Sequence, residues 1–287
     1  MTAARPGEDV HGAAGTTRCP YGGEAEAPPT AYAEYAGMDA LLALQHPRTS
    51  AATEPGFIIM SQVMELLFKL LRIEFTTARD RLADDDVDAA LWTLRRAGSV
   101  QRVALSSWDF FSAMTPVEFA EFRDVLGTAS GFQSASYRRL EFLLGNKNAR
   151  LVLPHRDASS HEAVHRQLYE PSLYDAVLAL LRRRGLPVAD AALARPCEAP
   201  YEPHDSVERA WREVYGNSAE HHTLFLLGEA LTDVAESFAR WRYTHLTVVQ
   251  RMLGAKPGTG GTEGVPWLER ISGHRFFPEL WSVRSLL

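Results

Sequence analysis

The chain has 287 residues, 46% of them hydrophobic and 23% charged, with a formal net charge of −6. That balance suits a globular protein with a full core, and the acidic surplus excludes a general nucleic-acid binder, which needs clustered Lys and Arg facing phosphates. No apolar run approaches the roughly 20 residues of a membrane span, the start lacks the basic-then-apolar pattern of a secretory signal, and two cysteines, Cys19 and Cys197, cannot build a disulfide framework or a four-thiolate zinc site, so a cytoplasmic protein is expected.

Residues 1–29 are rich in Gly, Ala, Pro, Thr and Glu and poor in large apolar side chains. They read as a disordered arm, with the Cys19-Pro20 pair inside it. From residue 30 to 287 the pattern is helical and is expected to form a single domain. Gly56 to Leu82 carries apolar residues at three- and four-residue spacing. Asp86 to Phe111 reads as a second long helix opening on an acidic cluster. Thr115-Pro116 starts a third, Thr as N-cap and Pro in the first turn. Phe132 to Leu144 is a fourth. Ser159 to Arg184 is helical with a break near Pro171 and a stop at Gly185. Ser218 to Leu253 is the longest, ending at Gly254, and residues 255–266 form a Gly-rich loop. Strand signals are scarce. The predicted class is all-α, a bundle of long antiparallel helices.

Four groups of residues carry possible chemistry. His161-Glu162-Ala163-Val164-His165 matches the zinc-protease pattern, with Glu170 as a conceivable third ligand; its polar surroundings favour a solvated helix face. His245 lies in the longest helix. A lone His there is usually a core residue, although neutral imidazole is a good axial ligand for haem iron. The loop Gly258-Thr259-Gly260-Gly261 lets backbone amides approach an anion, but Lys256 precedes the glycines and so it is no P-loop. Arg123 borders the Phe119 and Phe122 face of its helix, where it either snorkels or clamps a carboxylate through two parallel hydrogen bonds.

The order of several blocks is more specific than any one of them. They are Tyr32-Ala-Glu-Tyr35, Phe57-Ile-Ile-Met-Ser-Gln62 with Glu65-Leu-Leu-Phe68-Lys69, and Met114-Thr115 with Phe119-x-x-Phe122-Arg123. Ala129-Ser-Gly-Phe132-Gln-Ser134, Pro171-Ser-Leu-Tyr-Asp175 and Trp241-Arg-Tyr-x-His245 follow. The last are Arg251-Met-Leu-Gly254, Gly258-Thr-Gly-Gly261 and Phe276-Phe-Pro-Glu-Leu-Trp281. From about Ala31 onward the chain resembles the tryptophan 2,3-dioxygenase superfamily of haem-dependent aromatic oxygenases. The resemblance implies a helical bundle enclosing haem b, with His245 as the axial ligand and Trp108, Ser130 and Gly131 as further cofactor contacts. It implies that Arg123 holds the substrate carboxylate, that Thr259 contacts the amino-acid end, and that Phe57 and Phe119 wall the indole. Tyr32 and Tyr35 are implied to reach a neighbouring subunit's site in a homotetramer. The substrates implied are L-tryptophan, or a substituted tryptophan, and O2. The HEAVH segment lies outside every implied site.

The distal position before Gln62, usually histidine in that family, is Ser61. A serine hydroxyl is no general base near neutral pH. The family's Trp two residues after Glu65 is Leu67, and the Gln two residues before Arg138 is Ser136. A wider distal side suggests a substituted substrate, such as β-methyltryptophan, and favours C2 monooxygenation to a 2-oxindole in a secondary pathway, with peroxide or a reductant. C2–C3 cleavage to N-formylkynurenine is the alternative. A tyrosine-type hydroxylase, a non-catalytic haem sensor and a zinc hydrolase on the HEAVH segment are further ones.

Overall fold

A computed structural model describes residues 28–260 and 264–287; the Cys19-Pro20 pair and Gly261 lie outside the described residues. The chain divides into two compact units at Gln45/His46. In the first, α1 (Ala31–Ala36) is capped by Thr30, whose hydroxyl accepts from the Ala33 amide, and ends at Gly37 in the left-handed region. α2 (Met38–Leu42) follows directly, and neither helix buries a side chain.

The second unit is built on α3 (Glu54–Ala83), the first of its long helices. It opens on Glu54, whose buried carboxylate accepts from the Arg48 and Thr49 amides at 2.8 and 2.7 Å. A tight turn through Asp85 (φ 65°) reverses the chain into α4 (Val87–Ser106), capped by Asp86. The two helices therefore run antiparallel, and Phe75, Ala78, Ala90, Leu94 and Ala97 between them are almost fully buried. The single helix expected over Asp86–Phe111 is in fact two. Both the amide and the hydroxyl of Ser107 bond the Val103 carbonyl (3.0 and 2.8 Å). Such back-bonding by Ser competes with the helix ladder, and a second helix, α5 (Trp108–Ala113), begins at the next residue.

α6 (Pro116–Arg123) starts as its sequence predicts, with a reciprocal Thr115–Glu118 capping box. α7 (Ala135–Leu143) is capped by Ser134. The 159–184 stretch splits into α8 (His161–Tyr169) and α9 (Leu173–Arg183), because Ser172 and Asp175 form a new capping box after Pro171. α9 ends at Gly185 (φ 86°), where the Leu186 amide reaches back to Leu181. The short α10 (Asp190–Leu193) and α11 (Asp205–Gly216) lead to α12 (His222–Leu253), 32 residues long, which packs on α4. α13 (Val265–Ser272) and α14 (Pro278–Ser282) close the chain. Buried Glu279 anchors this end, accepting from the Tyr174 and Tyr201 hydroxyls (2.8 and 2.6 Å) and the His204 amide (2.9 Å).

The fold is all-α, with no strand among the described residues, as the periodicity predicts. No helix among them is long and apolar enough to cross a membrane. Among the described residues the core carries a buried ion cluster. Glu141 accepts from Arg242 at 2.7 Å and from Arg138, and Arg242 also donates to the Tyr137 hydroxyl at 3.1 Å. Burial raises the Glu141 carboxyl, but Arg138 and Arg242 outweigh it and hold the group ionised.

Candidate active site

His245 sits on α12 with its ring stacked on Trp108 of α5, centroids 4.6 Å apart and planes 13° from parallel. Trp241, one turn earlier, packs on both rings. Among the described residues no hydrogen bond reaches the His245 imidazole, and burial alone pushes it down to about 4. It is therefore neutral near pH 7, with a nitrogen lone pair uncommitted. The indole N–H groups of Trp108 and Trp241 are also buried without partners. This donor set fits an axial imidazole ligand for haem: neutral, held in orientation by packing, and free of competing bonds.

Trp108 opens α5, and its ring packs on Phe111 as well as on His245. From Trp108 an aromatic path runs through Phe111 (5.3 Å) to Phe57 of α3 (5.8 Å), and from Phe57 to Phe119 and Phe122 of α6 (5.9 and 5.2 Å). Gly56 makes this approach possible: a Cβ there would stand 2.4 Å from the Phe110 ring. Met114, Phe119 and Phe122 form a separate apolar cluster onto which Phe57 and Met252 pack.

Arg123 follows Phe122 as the last residue of α6. Its Nη2 donates to the Pro257 carbonyl at 2.9 Å, while Nε is buried without an acceptor. The glycine loop is thus seated on the predicted carboxylate clamp. Thr259 Oγ1 donates to the Ala129 carbonyl at 2.5 Å, and Gly260 lies so close to Ser130 that a Cβ would meet its side chain at 2.5 Å. Gly131 is exposed beside it. Ser61 donates its hydroxyl proton to the Phe57 carbonyl at 2.7 Å, one turn back on α3. Its oxygen keeps lone pairs, so it can accept but has no proton to offer a ligand without breaking that bond.

The structure thus links His245, Trp108, Phe57 and Phe119 through ring contacts, and it sets the loop of Thr259 and Gly260 against Arg123, Ala129 and Ser130. Tyr32 and Tyr35 belong to the first unit, where both are exposed. Sequence reasoning missed Phe111, the link between Trp108 and Phe57; its place in an apparent single helix hid it. It also missed the Pro257 carbonyl as the partner of Arg123, a backbone group with no sequence signature.

The HEAVH segment lies elsewhere, on α8. Its two imidazoles are 5.6 Å apart by centroid. Glu170, the conceivable third ligand, instead accepts from Gln167 at 2.9 Å and lies between Arg79 and Arg166. Among the described residues no group of three His, Cys, Asp or Glu is arranged to hold a metal ion.

The family model described as tryptophan 2,3-dioxygenase matches residues 22–166 and 153–287. The chain is 41% identical over 260 residues to a protein of Shewanella woodyi named tryptophan 2,3-dioxygenase, covering 89% of this chain and 90% of the relative. Proteins of the same name from Burkholderia multivorans (41% identical, 89% and 83% covered) and Erythrobacter litoralis (42%, 89% and 98%) are similar to it to the same degree.

Proposed function

The chain belongs to the tryptophan 2,3-dioxygenase family, and from that premise we propose that it inserts both atoms of O2 into L-tryptophan, cleaving the indole C2–C3 bond to give N-formylkynurenine. It is an oxidoreductase, a haem-dependent tryptophan oxygenase. The shared name of the relatives favours this product over the 2-oxindole preferred from Ser61, and nothing in them supports a β-methyl substrate or a secondary pathway. The observation that carries the reading is the aromatic path from a neutral His245 to Phe119 and Phe122, on the helix whose last residue is Arg123. It suits an amino acid with a flat apolar side chain, its ring near the cofactor and its carboxylate at the guanidinium.

Each residue then has a physical task. His245, with Trp108, Ser130 and Gly131 beside it, would hold haem b, which would supply the iron chemistry for O2 when bound. Phe57 and Phe119 exclude water and orient the indole. The unsatisfied Nε of Arg123 takes a carboxylate oxygen, and Thr259 meets the amino-acid end. Ser61, its proton committed to Phe57, accepts the indole N–H. That acceptor makes 1-methyltryptophan a poor substrate whose handicap shrinks in Ser61→Ala. A tyrosine hydroxylase would not use that acceptor in the same way. The expected compartment is the cytoplasm.

A homotetramer fits the surface. Ile59, Leu66, Leu70 and Ile73 form an exposed apolar stripe along α3 at seven-, four- and three-residue steps, the spacing of a helix seam. Tyr32 and Tyr35, 72% and 95% exposed, are free to enter a neighbour's site. The deciding experiment is incubation with L-tryptophan under labelled oxygen. Two labelled atoms in N-formylkynurenine are expected; one labelled atom in an oxindole refutes the reading. Haem spectra without substrate-dependent oxygen uptake would leave only a sensor.

A further inference from the structure

The geometry points to a second ligand site, between the 3₁₀ segment Ala149–His155 and α8, that takes a small carboxylate with an apolar body. A cavity of about 210 Å³ opens there. Its apolar lining includes Val152, Leu153 and Leu168, and its polar lining is Arg156, His161 and His165. The volume falls below the roughly 300–1,000 Å³ of pockets for drug-sized molecules, so the ligand is small.

The charge pattern selects the ligand class. No Asp or Glu lines the cavity. The Arg156 side chain forms no ion pair, hydrogen bond or ring contact among the described residues, whereas most other arginine side chains there are engaged. His161 Nδ1 is buried without a hydrogen-bond partner. The His165 ring is set in place by Tyr169, 4.9 Å away, and makes no hydrogen bond among the described residues. A buried, unpartnered His161 Nδ1 thus lines an apolar-floored cavity together with the exposed side chains of Arg156 and His165, which bond no described residue. An anion satisfies all three, and a planar carboxylate suits a guanidinium edge. A metal ion does not: it would have two protein ligands where zinc takes three or four, and it would face Arg156. The glutamate of the HEAVH run points away from such a role, since the Glu162 side chain is 90% exposed and lies 3.8 Å from Arg166.

This site is separate from Arg123 and independent of the proposed reaction. The probe is 4-fluorophenylacetate, followed by fluorine NMR on the haem-loaded full chain carrying Arg123→Ala, which silences the other carboxylate clamp. Saturable one-site binding is expected to persist there. Arg156→Ala should weaken it by about tenfold or more, the loss of one charge-assisted hydrogen bond, and His161→Ala should weaken it as well. The neutral amide of the probe should bind at least as poorly as the probe binds the Arg156 variant. Because Arg156 is exposed, its replacement leaves the fold intact. Absence of saturable binding in the Arg123 variant overturns the proposal. So does equal binding of acid and amide, or of the parent and Arg156→Ala, or tight Zn2+ binding at His161 and His165 with no response to the probe.

Discussion

Gly260→Ala probes the seating of the glycine loop. The added Cβ would lie 2.5 Å from Ser130 Cβ and 2.8 Å from its Oγ, while the next atom, the Thr128 carbonyl, is at 3.9 Å. Carbon atoms attract best near 3.5–4.0 Å, so the overlap exceeds an ångström and one side must move. Overpacking of this kind costs about 1–3 kcal/mol, or roughly 5- to 150-fold in the loop-seated population. The loop is surface structure, so global stability should change little. Two readouts follow: amide hydrogen exchange across residues 255–260 should accelerate, and kcat/KM for L-tryptophan should fall by a similar factor. Ser130→Gly removes both clashing atoms, so the double variant should recover most of the loss relative to Ser130→Gly alone. An additive cycle, or a silent Gly260→Ala, would refute the steric account and with it the claim that this loop seats against the 128–131 segment.

Glu141→Gln leaves Arg138 and Arg242 buried side by side, and urea unfolding should report a loss of about 3–5 kcal/mol; a loss below about 1 kcal/mol would mean the cluster is solvated. Burial also holds His245 and His274 down to about 4, so both are neutral in the folded chain while the unfolded chain protonates near 6.5. Stability of the haem-free protein is then fully present above about pH 6.5 and declines as pH falls toward 4; His274→Gln should flatten that decline, measured by urea midpoints at several pH values. His245→Ala should abolish the native Soret spectrum, with added imidazole restoring it in part; an unchanged spectrum would dismiss His245 as the ligand. Leu66→Asp with Leu70→Asp should shift the chain to a smaller species in light scattering if the α3 stripe is an interface; an unchanged mass would exclude that face.

The sequence determined the class and the supply of chemistry. Apolar spacing at three and four residues encodes helices because it is a local property of the chain, and Thr115, Ser172 and Gly185 mark ends because caps act within one turn. His245 and Arg123 were legible as candidates from the company of neighbouring blocks. What tertiary structure decided was which groups meet and which are spent. Trp108 of α5 stacks on His245 of α12, the Phe57 carbonyl occupies the Ser61 proton, and the Pro257 carbonyl engages Arg123. The HEAVH run was legible as two imidazoles on one face, but the lack of a third ligand and the presence of Arg156 were not. These are contacts of backbone groups and of residues apart in sequence. Periodicity cannot register them, since they depend on how whole helices pack rather than on the order of residues along one of them.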